Sequence, residues 1–270
     1  MLNKDQLNQI EELQKICEKH DNISLKLNWD MLRLREEVQD YFHYENNILV
    51  GFIGVYIFGR EFEVCGLVHP NYRRKGIFTK LLKEAISSIQ NAKKILLNAP
   101  ADSLTATQFL KTISCAYSFS EYAMVWNEKE LDIPNTAVTL RKADTTDIET
   151  IVSLDVECFD FEVEEARDFF NRVFLEQRTF YIAELNNEPI GKISVQYEED
   201  ETWIYGFAVF PKHQGKGYGK NVLTQTILRE KQTGNSIHLE VELKNRNAKK
   251  LYEDCGFVQS DTQDYYLYGL

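Results

Sequence analysis

The sequence predicts an α/β protein built from two tandem domains, each a mixed sheet flanked by helices. Short apolar or alternating runs typical of strands are interspersed with longer runs whose apolar residues recur at helical spacing. The same order of strand, glycine-containing basic turn and helix also occurs once in each half, around His69 and around Phe210. This duplication predicts two similar domains, residues 1–133 and 134–270, linked at residues 132–136, where Pro134 interrupts regular structure.

The overall composition is that of a globular protein, with 270 residues of which 43% are hydrophobic, 27% are charged and five are prolines. No stretch approaches the roughly 18–20 apolar residues of a membrane-spanning helix, so we expect no membrane association. The net charge of −11 argues against a nucleic-acid surface. Five scattered cysteines without metal-ligand spacing predict reduced thiols, a cytoplasmic protein and no metal site.

The first half contains three strand patterns and one clear helix. Residues 49–58 form a short apolar run typical of a buried strand, and residues 61–69 form a second strand. The basic turn at residues 70–76 then opens into a helix that we expect to reach about residue 91. Residues 94–98 form a short apolar strand. The first forty residues match this arrangement only weakly.

The second half begins with a strand at residue 138, followed by a helix that Asp144 can cap. An acidic turn at residues 198–201 leads into a strand over residues 202–210. A helical run then spans residues 218–232.

The chain ends with a further strand and helix. Apolar and polar residues alternate over residues 237–243, which predicts a strand with one buried face. Asn245 can cap the helix that follows, and Gly256 can end it.

The turn before residues 218–232 carries three glycines, Gly215, Gly217 and Gly219, interleaved with Lys216 and Tyr218. Glycine tolerates unusual dihedral angles and lets a ligand approach the backbone. The helix N-terminus that follows presents unpaired N–H groups and the positive end of its dipole. These features predict a phosphate-binding loop, for which an ordinary strand-to-helix turn is the alternative. The flanking lysines are Lys212, Lys216 and Lys220.

Two spaced motifs in this half resemble a known family. Gln214-x-x-Gly217-x-Gly219 resembles the pyrophosphate-binding motif of the GNAT superfamily of N-acetyltransferases, which bind acetyl-CoA. Residues 245–257 read Asn-x-x-Ala-x-x-Leu-Tyr-x-x-x-Gly-Phe and resemble the second CoA-binding motif of that superfamily. The resemblance covers about residues 136–270. It implies a mixed, mostly antiparallel twisted sheet whose central parallel strands splay apart.

The resemblance also implies roles for individual residues. In the superfamily, the pantetheine amides of the cofactor pair with one splayed strand, and its phosphates lie on the glycine-rich loop. The cofactor-binding residues implied here are Phe207, Ala208, Val209, Gln214, Gly215, Lys216, Gly217, Tyr218, Gly219, Lys220 and Asn245. Tyr252 is implied to be the general acid near the sulfur.

Acetyl transfer to an amine also needs a base, because the attacking amine must lose a proton. Glu240 can serve directly or through water, with a surface or salt-bridged carboxylate as the alternative. His238 has a suitable pKa, but its early place in the strand puts it far from the sulfur. Simple packing is the alternative for Tyr252, and a structural helix cap is the alternative for Asn245.

The first half resembles a second, degenerate GNAT domain. Arg73-x-x-Gly76-x-Phe78 follows the same spacing as the glycine-rich motif, but Phe78 replaces a small residue. Leu110 stands where the second half has its tyrosine, and no Gly-Phe pair follows. We therefore expect this half to keep the fold without catalysis, and we expect Phe78 to crowd a ligand. Its basic turn either binds an anion or is simply solvated.

The acceptor is suggested by residues 155–170, which carry seven acidic residues and four phenylalanines. In the superfamily this region walls the acceptor site, so an acidic aromatic wall would suit a cationic amine, with a solvated helix face as the alternative. We predict an acetyl-CoA-dependent N-acetyltransferase acting on a primary amine of a small molecule, or of a peptide, as a monomer or homodimer. The alternative is a non-catalytic acyl-CoA-binding or regulatory module.

Overall fold

Strands and helices are interspersed along both halves of the chain, as the sequence predicts. The computed structural model describes residues 2–34, 40–134, 137–175 and 178–269. Two residues of the predicted linker, Asn135 and Thr136, lie outside these ranges. The chain forms two compact units, which we call unit 1 (Met1–Ser120 with Asp261–Leu270) and unit 2 (Glu121–Ser260).

The elements of the first half follow in chain order. They are α1 (Lys4–Asp21), α2 (Trp29–Leu34), β1 (Asp40–Glu45), β2 (Ile48–Phe58), β3 (Glu61–Val68), α3 (Ile77–Ser88), β4 (Lys94–Pro100), α4 (Leu104–Leu110) and β5 (Cys115–Trp126). Helix α3 ends before the predicted residue 91, because Ile89 is already extended.

The elements of the second half are β6 (Val138–Lys142), α5 (Ile148–Phe159), α6 (Val163–Leu175), β7 (Thr179–Leu185), β8 (Glu188–Glu198), β9 (Glu201–Val209), α7 (Tyr218–Glu230), β10 (Ser236–Glu242), α8 (Arg246–Asp254) and β11 (Phe257–Tyr268). The predicted strands at residues 202–210 and 237–243 and the predicted helix at residues 218–232 match elements of the second half to within one or two residues at each end, whereas α6, β7, β8 and β11 were not predicted.

The sheet of unit 1 is mixed. Strands β1, β2 and β3 are antiparallel neighbours, and β3 lies parallel to β4. Residues 263–267 of β11 pair antiparallel with β4. Apolar side chains of β2 and α3, such as Val50 and Leu81, form one core, while Phe52 packs in a second core with Ile10 and Leu13 of α1.

The sheet of unit 2 is mixed in the same way. Strands β6 to β9 are antiparallel neighbours, and β9 lies parallel to β10. Residues 121–125 of β5 pair antiparallel with β10. Side chains of α7 and α8 share one core with Leu239 and Val241 of β10, whereas Ile151 of α5 and Phe170 of α6 pack with Ile182 of β7.

The compact units divide the chain differently from the predicted boundary at residue 133. Each unit contains a strand segment from the other half of the chain. Residues 121–125 pair with β10 in unit 2, and residues 263–267 pair with β4 in unit 1. The domains 1–133 and 134–270 remain a prediction about the sequence repeat.

An ion pair fixes the entry to α5 and makes unit 2 sensitive to acid. Arg141 donates two hydrogen bonds of 2.7 Å to Asp147, whose carboxylate also accepts the backbone N–H of Asp144 in a capping box. The hydrogen bonds from Arg141 hold the pKa of Asp147 below its usual range. This stabilisation is therefore present above the unfolded pKa of about 4 and is lost as the pH falls through the lower folded value.

We expect Asp147→Asn to lower the free energy of unfolding at neutral pH by roughly 2 kcal/mol, because charge-assisted bonds to a buried carboxylate are lost. Urea unfolding between pH 3 and pH 7 measures this effect, and the variant should show a flatter acid limb. Glu149→Gln, in the exposed pair of Glu149 with Arg167, is the control and should change little. Equal effects of the two substitutions would contradict the prediction.

Candidate functional site

Two central strands of unit 2 separate where the glycine-rich loop begins. Their parallel pairing ends at Ile204 and Leu239, although β9 continues to Val209 and β10 to Glu242. The same part of β9 contains a bulge, because the register of β9 against β8 shifts between Lys192 and Ser194. Beyond these positions the two strands no longer pair with each other, which leaves the backbone that faces the gap available to an extended ligand, as the sequence resemblance implies.

Gly206 forms the bulge, with φ of +54°, in the left-handed region that favours glycine. The bulge sets Gly206 and Phe207 opposite the single residue Ile193 of β8. The predicted cofactor strand, Phe207 to Val209, is therefore the segment that follows directly after the bulge. Sequence patterning gave no indication of this bulge.

The loop after β9 is anchored by its first predicted ligand. A short 3-10 turn, Pro211–His213, leads to Gln214, whose side-chain amide donates a 2.8 Å hydrogen bond to the carbonyl of Val209. Lys216 turns back on the loop, and its amino group donates to the carbonyl of Lys212. Gln214 therefore fixes the loop to β9, and binding to phosphate stays a prediction for both side chains.

Helix α7 begins at this loop with free N–H groups. Its N-cap is Gly217, with φ of +80°, and no side-chain hydrogen bond caps the helix among the residues that the structure describes. Gly215 is also left-handed, with φ of +72°. A 13-residue helix with an uncapped N-terminus beside glycines suits an anion. Lys220 is exposed in the first turn of this helix.

Gly219 lies on the side of α7 that faces Phe207 of β9. A Cβ atom at this position would lie 3.6 Å from the ring of Phe207 and 3.6 Å from the side chain of Leu251. Tyr218 is half-buried, with its ring 6.3 Å from that of His213. The aromatic residue at the end of β9 and the glycine in α7 therefore fit each other in size.

Tyr252 is the predicted acid, and it lies on α8 within the core that includes Leu239 and Val241. Its ring packs against Phe257 and is 9% exposed. Among the described residues its hydroxyl has no hydrogen-bond partner. Burial raises the pKa of Tyr252 to about 12, so the phenol stays protonated and can act as a proton donor.

Asn245 caps α8, since its side-chain oxygen accepts a 3.1 Å hydrogen bond from the N–H of Ala248. This is the structural alternative that the sequence left open for this residue, and contact with a cofactor remains a prediction. The adjoining loop places α8 directly after the end of β10 that has separated from β9.

Glu240 lies on the face of β10 opposite the buried Leu239 and Val241, and it is half-buried. It follows Leu239, the last residue of β10 that pairs with β9, so it belongs to the part of β10 that has separated from β9. On the same face, His238 stacks on Trp203, and burial lowers the pKa of His238. His238 lies where the pairing is intact, which favours Glu240 as the base.

Part of the predicted acidic wall lies inside the protein. Asp155 is buried, and its carboxylate binds the buried amino group of Lys192 at 2.5 Å. Phe170 is also buried, whereas Phe159 is exposed and Phe161 stacks on Phe169. The acceptor wall therefore has fewer free charges than the sequence suggests.

Sequence reasoning missed the ion pair between Lys192 and Asp155. Burial raises the pKa of Asp155 and lowers that of Lys192. The available signal was Lys192 itself, which stands in a mostly apolar strand pattern over residues 190–195. A buried charge on a central strand is costly unless it has a partner, so this lysine indicates an acidic partner in the interior.

Unit 1 retains a cleft at the corresponding place. The pairing of β3 with β4 ends at Val64 and Leu97, and a cavity of about 690 Å³ opens beside these strands. The cavity is lined by residues from 17 to 112, among them Gly66, Phe78 and Asn98. The amide nitrogen of Asn98 is buried and lacks a hydrogen-bond partner among the described residues.

Phe78 lines this cavity, and whether it crowds a ligand stays a prediction. Its ring packs edge-on against Phe109 at 4.8 Å between centroids, and a Cβ atom on Gly66 would lie 3.1 Å from it. Unit 1 thus has glycine in the strand and phenylalanine in the helix, the reverse of Phe207 and Gly219. The exchange keeps the combined volume similar, so the aromatic residue is accommodated beside an open cavity.

The basic turn of unit 1 is partly neutralised. Arg73 makes two hydrogen bonds to Asp21, of 2.9 and 2.6 Å, and its Nε donates to the carbonyl of Val68. The hydrogen bonds from Arg73 lower the pKa of Asp21. The predicted anion site of unit 1 therefore depends on Arg74, Lys75 and backbone groups.

Two absences apply to the part of the chain that the structure describes. There, no three His, Cys, Asp or Glu side chains are grouped so that they could hold a metal ion. In the same ranges, no helix combines the length and apolar character needed to cross a membrane.

Comparison with known proteins identifies a family. The Acetyltransferase (GNAT) family profile matches the chain twice, at residues 5–112 and 148–257. The [ribosomal protein bS18]-alanine N-acetyltransferase of Haemophilus influenzae is 37% identical over 82 residues, covering 30% of this chain and 56% of that enzyme. The spermidine N(1)-acetyltransferase of Vibrio cholerae is 26% identical over 147 residues, covering 46% of this chain and 81% of that enzyme.

Solved structures share the fold at low identity. A tandem GNAT protein from the clavulanic acid biosynthesis pathway superposes with a TM-score of 0.71 at 15% identity, over 98% of this chain and 95% of that one. The chain spans little more than half the length of the Haemophilus relative. The double match and this shared fold confirm the predicted tandem organisation.

Proposed function

Because the chain belongs to the GNAT family of acetyltransferases, we propose that unit 2 transfers an acetyl group from acetyl-CoA to a primary amine. The observation that carries the proposal is that β9 stops pairing with β10 at Ile204, before β9 itself ends. The separated end of β9 then leads into the glycine-rich loop and into α7, whose N-cap is Gly217. This arrangement offers backbone groups to an extended ligand and an anion site at one end.

The cofactor would be held mainly by backbone. The N–H groups of residues 215–219 would bind its phosphates, with Lys216 and Lys220 adding positive charge. Residues 207–209, beyond the bulge, would pair with its pantetheine amides, and an N–H group there would stabilise charge on the thioester carbonyl. Bound acetyl-CoA supplies an acetyl group already activated as a thioester.

Proton transfer is assigned to two side chains. Glu240, directly or through water, would accept the proton that the attacking amine loses as its nitrogen bonds to the carbonyl carbon. Tyr252 would donate a proton to the thiolate that leaves when the carbon–sulfur bond breaks. Its raised pKa keeps that proton in place at neutral pH.

The acceptor that we propose is a small-molecule primary amine, with a peptide amine as the alternative. Exposed acidic residues of α5 and α6, such as Glu157 and Glu164, suit a cationic amine. Two relatives are named for a polyamine and for a ribosomal protein, so both classes of acceptor occur among similar proteins. We further propose a cytoplasmic protein, monomeric or homodimeric, with its five cysteines as reduced thiols.

The direct experiment follows thiol release from acetyl-CoA in the presence of spermidine and of a peptide with an N-terminal alanine. We expect release that depends on one of these amines, together with binding of acetyl-CoA by calorimetry. Binding without transfer to any amine would favour the non-catalytic alternative. Absence of binding would overturn the proposal.

The second candidate function, binding without turnover, is favoured for unit 1 by its cavity. The cavity retains the unpartnered Asn98 amide, but Leu110 provides no phenol and β3 has no bulge. Calorimetry of the full chain separates the possibilities. Two acetyl-CoA sites, one of them removed by Gly76→Trp, would support this role for unit 1. A single site that Gly76→Trp leaves intact would contradict it.

A further inference from the structure

Unit 2 contains a buried ion pair beside its bulged strand. The Nζ atom of Lys192 on β8 lies 2.5 Å from Oδ1 of Asp155 on α5, and both side chains are at most 3% exposed. Oδ2 of Asp155 is buried and has no hydrogen-bond partner among the described residues. Two desolvated charges with one carboxylate oxygen unsatisfied are costly to fold, so the pair is poorly explained by stability alone.

The fold itself does not require this ion pair, because unit 1 builds the same position without it. Gly51 pairs with Val68 as Gly191 pairs with Val209, so the next residue along each strand, Phe52, corresponds to Lys192. Phe52 is fully buried in an apolar core.

The partner position is also uncharged in unit 1. Cys17 of α1 donates to the carbonyl of Val68 at 3.5 Å, as Cys158 of α5 donates to that of Val209. Gln14 lies three residues before Cys17, just as Asp155 lies three residues before Cys158. The ion pair is thus a property of unit 2 and not of the architecture.

What distinguishes unit 2 at this place is the bulge. Lys192 pairs with Ala208, and the register shift begins immediately after it. The corresponding register of β2 with β3 runs from Gly51 to Phe58 without a shift. The strands are closely packed here, because a Cβ atom on Gly191 would lie only 2.5 Å from the carbonyl oxygen of Ala208.

Helix α5 therefore contacts both the bulged strand β9 and its neighbour β8. Cys158 reaches the last residue of β9 directly, and Asp155 reaches the neighbouring strand through Lys192. We propose that Lys192 and Asp155 are positioning residues that hold the end of β9, residues 206–209, in the conformation that receives the acyl thioester. The expected effect on turnover rests on the proposed function, whereas the expected effect on the conformation of residues 206–209 does not.

The test replaces both charges with apolar residues of similar volume, Lys192→Met together with Asp155→Leu, in the full chain. Removal of the whole pair avoids an uncompensated buried charge, so the thermal midpoint should not fall. We expect faster hydrogen exchange at the amides of residues 207–209. We also expect turnover to fall by about 100-fold with little change in the Kd for acetyl-CoA, because the thioester is misplaced while the phosphate loop is intact.

The matched control removes another ion pair of unit 2, Arg141→Met with Asp147→Asn. It should lower stability without changing turnover or exchange at residues 207–209. Lys192→Met together with Asp155→Asn, which keeps the shape of the Asp155 side chain and leaves no buried charge, is the second variant if the first double substitution fails to fold. Unchanged exchange and turnover in the folded variants would overturn the inference. If the parent chain does not bind acetyl-CoA, the proposed function fails, while hydrogen exchange still decides whether the pair holds the bulge.

Discussion

Tyr252→Phe should reduce turnover by about 100-fold or more and leave the Kd for acetyl-CoA within about twofold, since a general acid commonly contributes this much to a rate. The substitution removes only a hydroxyl that makes no hydrogen bond among the described residues. The ring that packs against Phe257 remains, so the thermal midpoint should change little. Steady-state kinetics and calorimetry on the same preparation give both quantities.

The pH dependence supplies a second readout for Tyr252. Its pKa is raised to about 12 by burial, and the acid form is present below that value. Loss of activity from deprotonation of this phenol should therefore lie above the ordinary tyrosine pKa of about 10. Tyr197→Phe is the control, because that residue is also a tyrosine of unit 2 with a raised pKa, but it lies on β8 with its hydroxyl bound to Glu230. Turnover that survives in Tyr252→Phe would assign the residue to packing alone.

Gly217→Trp should weaken acetyl-CoA binding by about 100-fold, equivalent to about 2.7 kcal/mol. The residue is the N-cap of α7 with φ of +80°, a conformation that strains any residue with a Cβ atom. An indole at this position would also cover the free N–H groups proposed to bind phosphate. Calorimetric titration with acetyl-CoA measures the loss.

Gly234→Trp is the matched control for the loop. Gly234 also has a left-handed backbone, with φ of +82°, and open space around the position of a Cβ atom. It follows the 3-10 turn Lys231–Thr233, at the opposite end of α7 from the loop. The two variants should therefore be similarly strained, but only Gly217→Trp should lose affinity. Equal loss in both variants would attribute the effect to backbone strain.

Local patterns were sufficient for the elements and the family. The alternation of Ile237, Leu239 and Val241 with polar residues predicted β10, and its buried face is as expected. Asn245 predicted the start of α8 because the interaction that caps a helix is local in sequence. The two spaced motifs of the second half, together with the altered copy of the glycine-rich motif in the first half, indicated a tandem GNAT protein. The double family match confirms this prediction.

The sequence could not reveal contacts that depend on two distant segments. The volume of Phe78 is accommodated by Gly66 on a neighbouring strand, and no local pattern connects these two residues. Asp155 was counted with an acidic surface, although Lys192, 37 residues away, binds it in the interior. The bulge at Gly206 was also missed, because an extra residue becomes visible only in the register against β8.

The sequence by itself therefore determined the tandem α/β organisation, the family and the candidate loop, strand and tyrosine, because periodicity, capping and motif spacing are encoded locally. The tertiary structure alone decided where β9 leaves β10, which acidic residue is buried and whether unit 1 keeps a cavity. Those features follow from strand register and from the volumes and charges that packing brings together, and these are set by pairs of residues far apart along the chain.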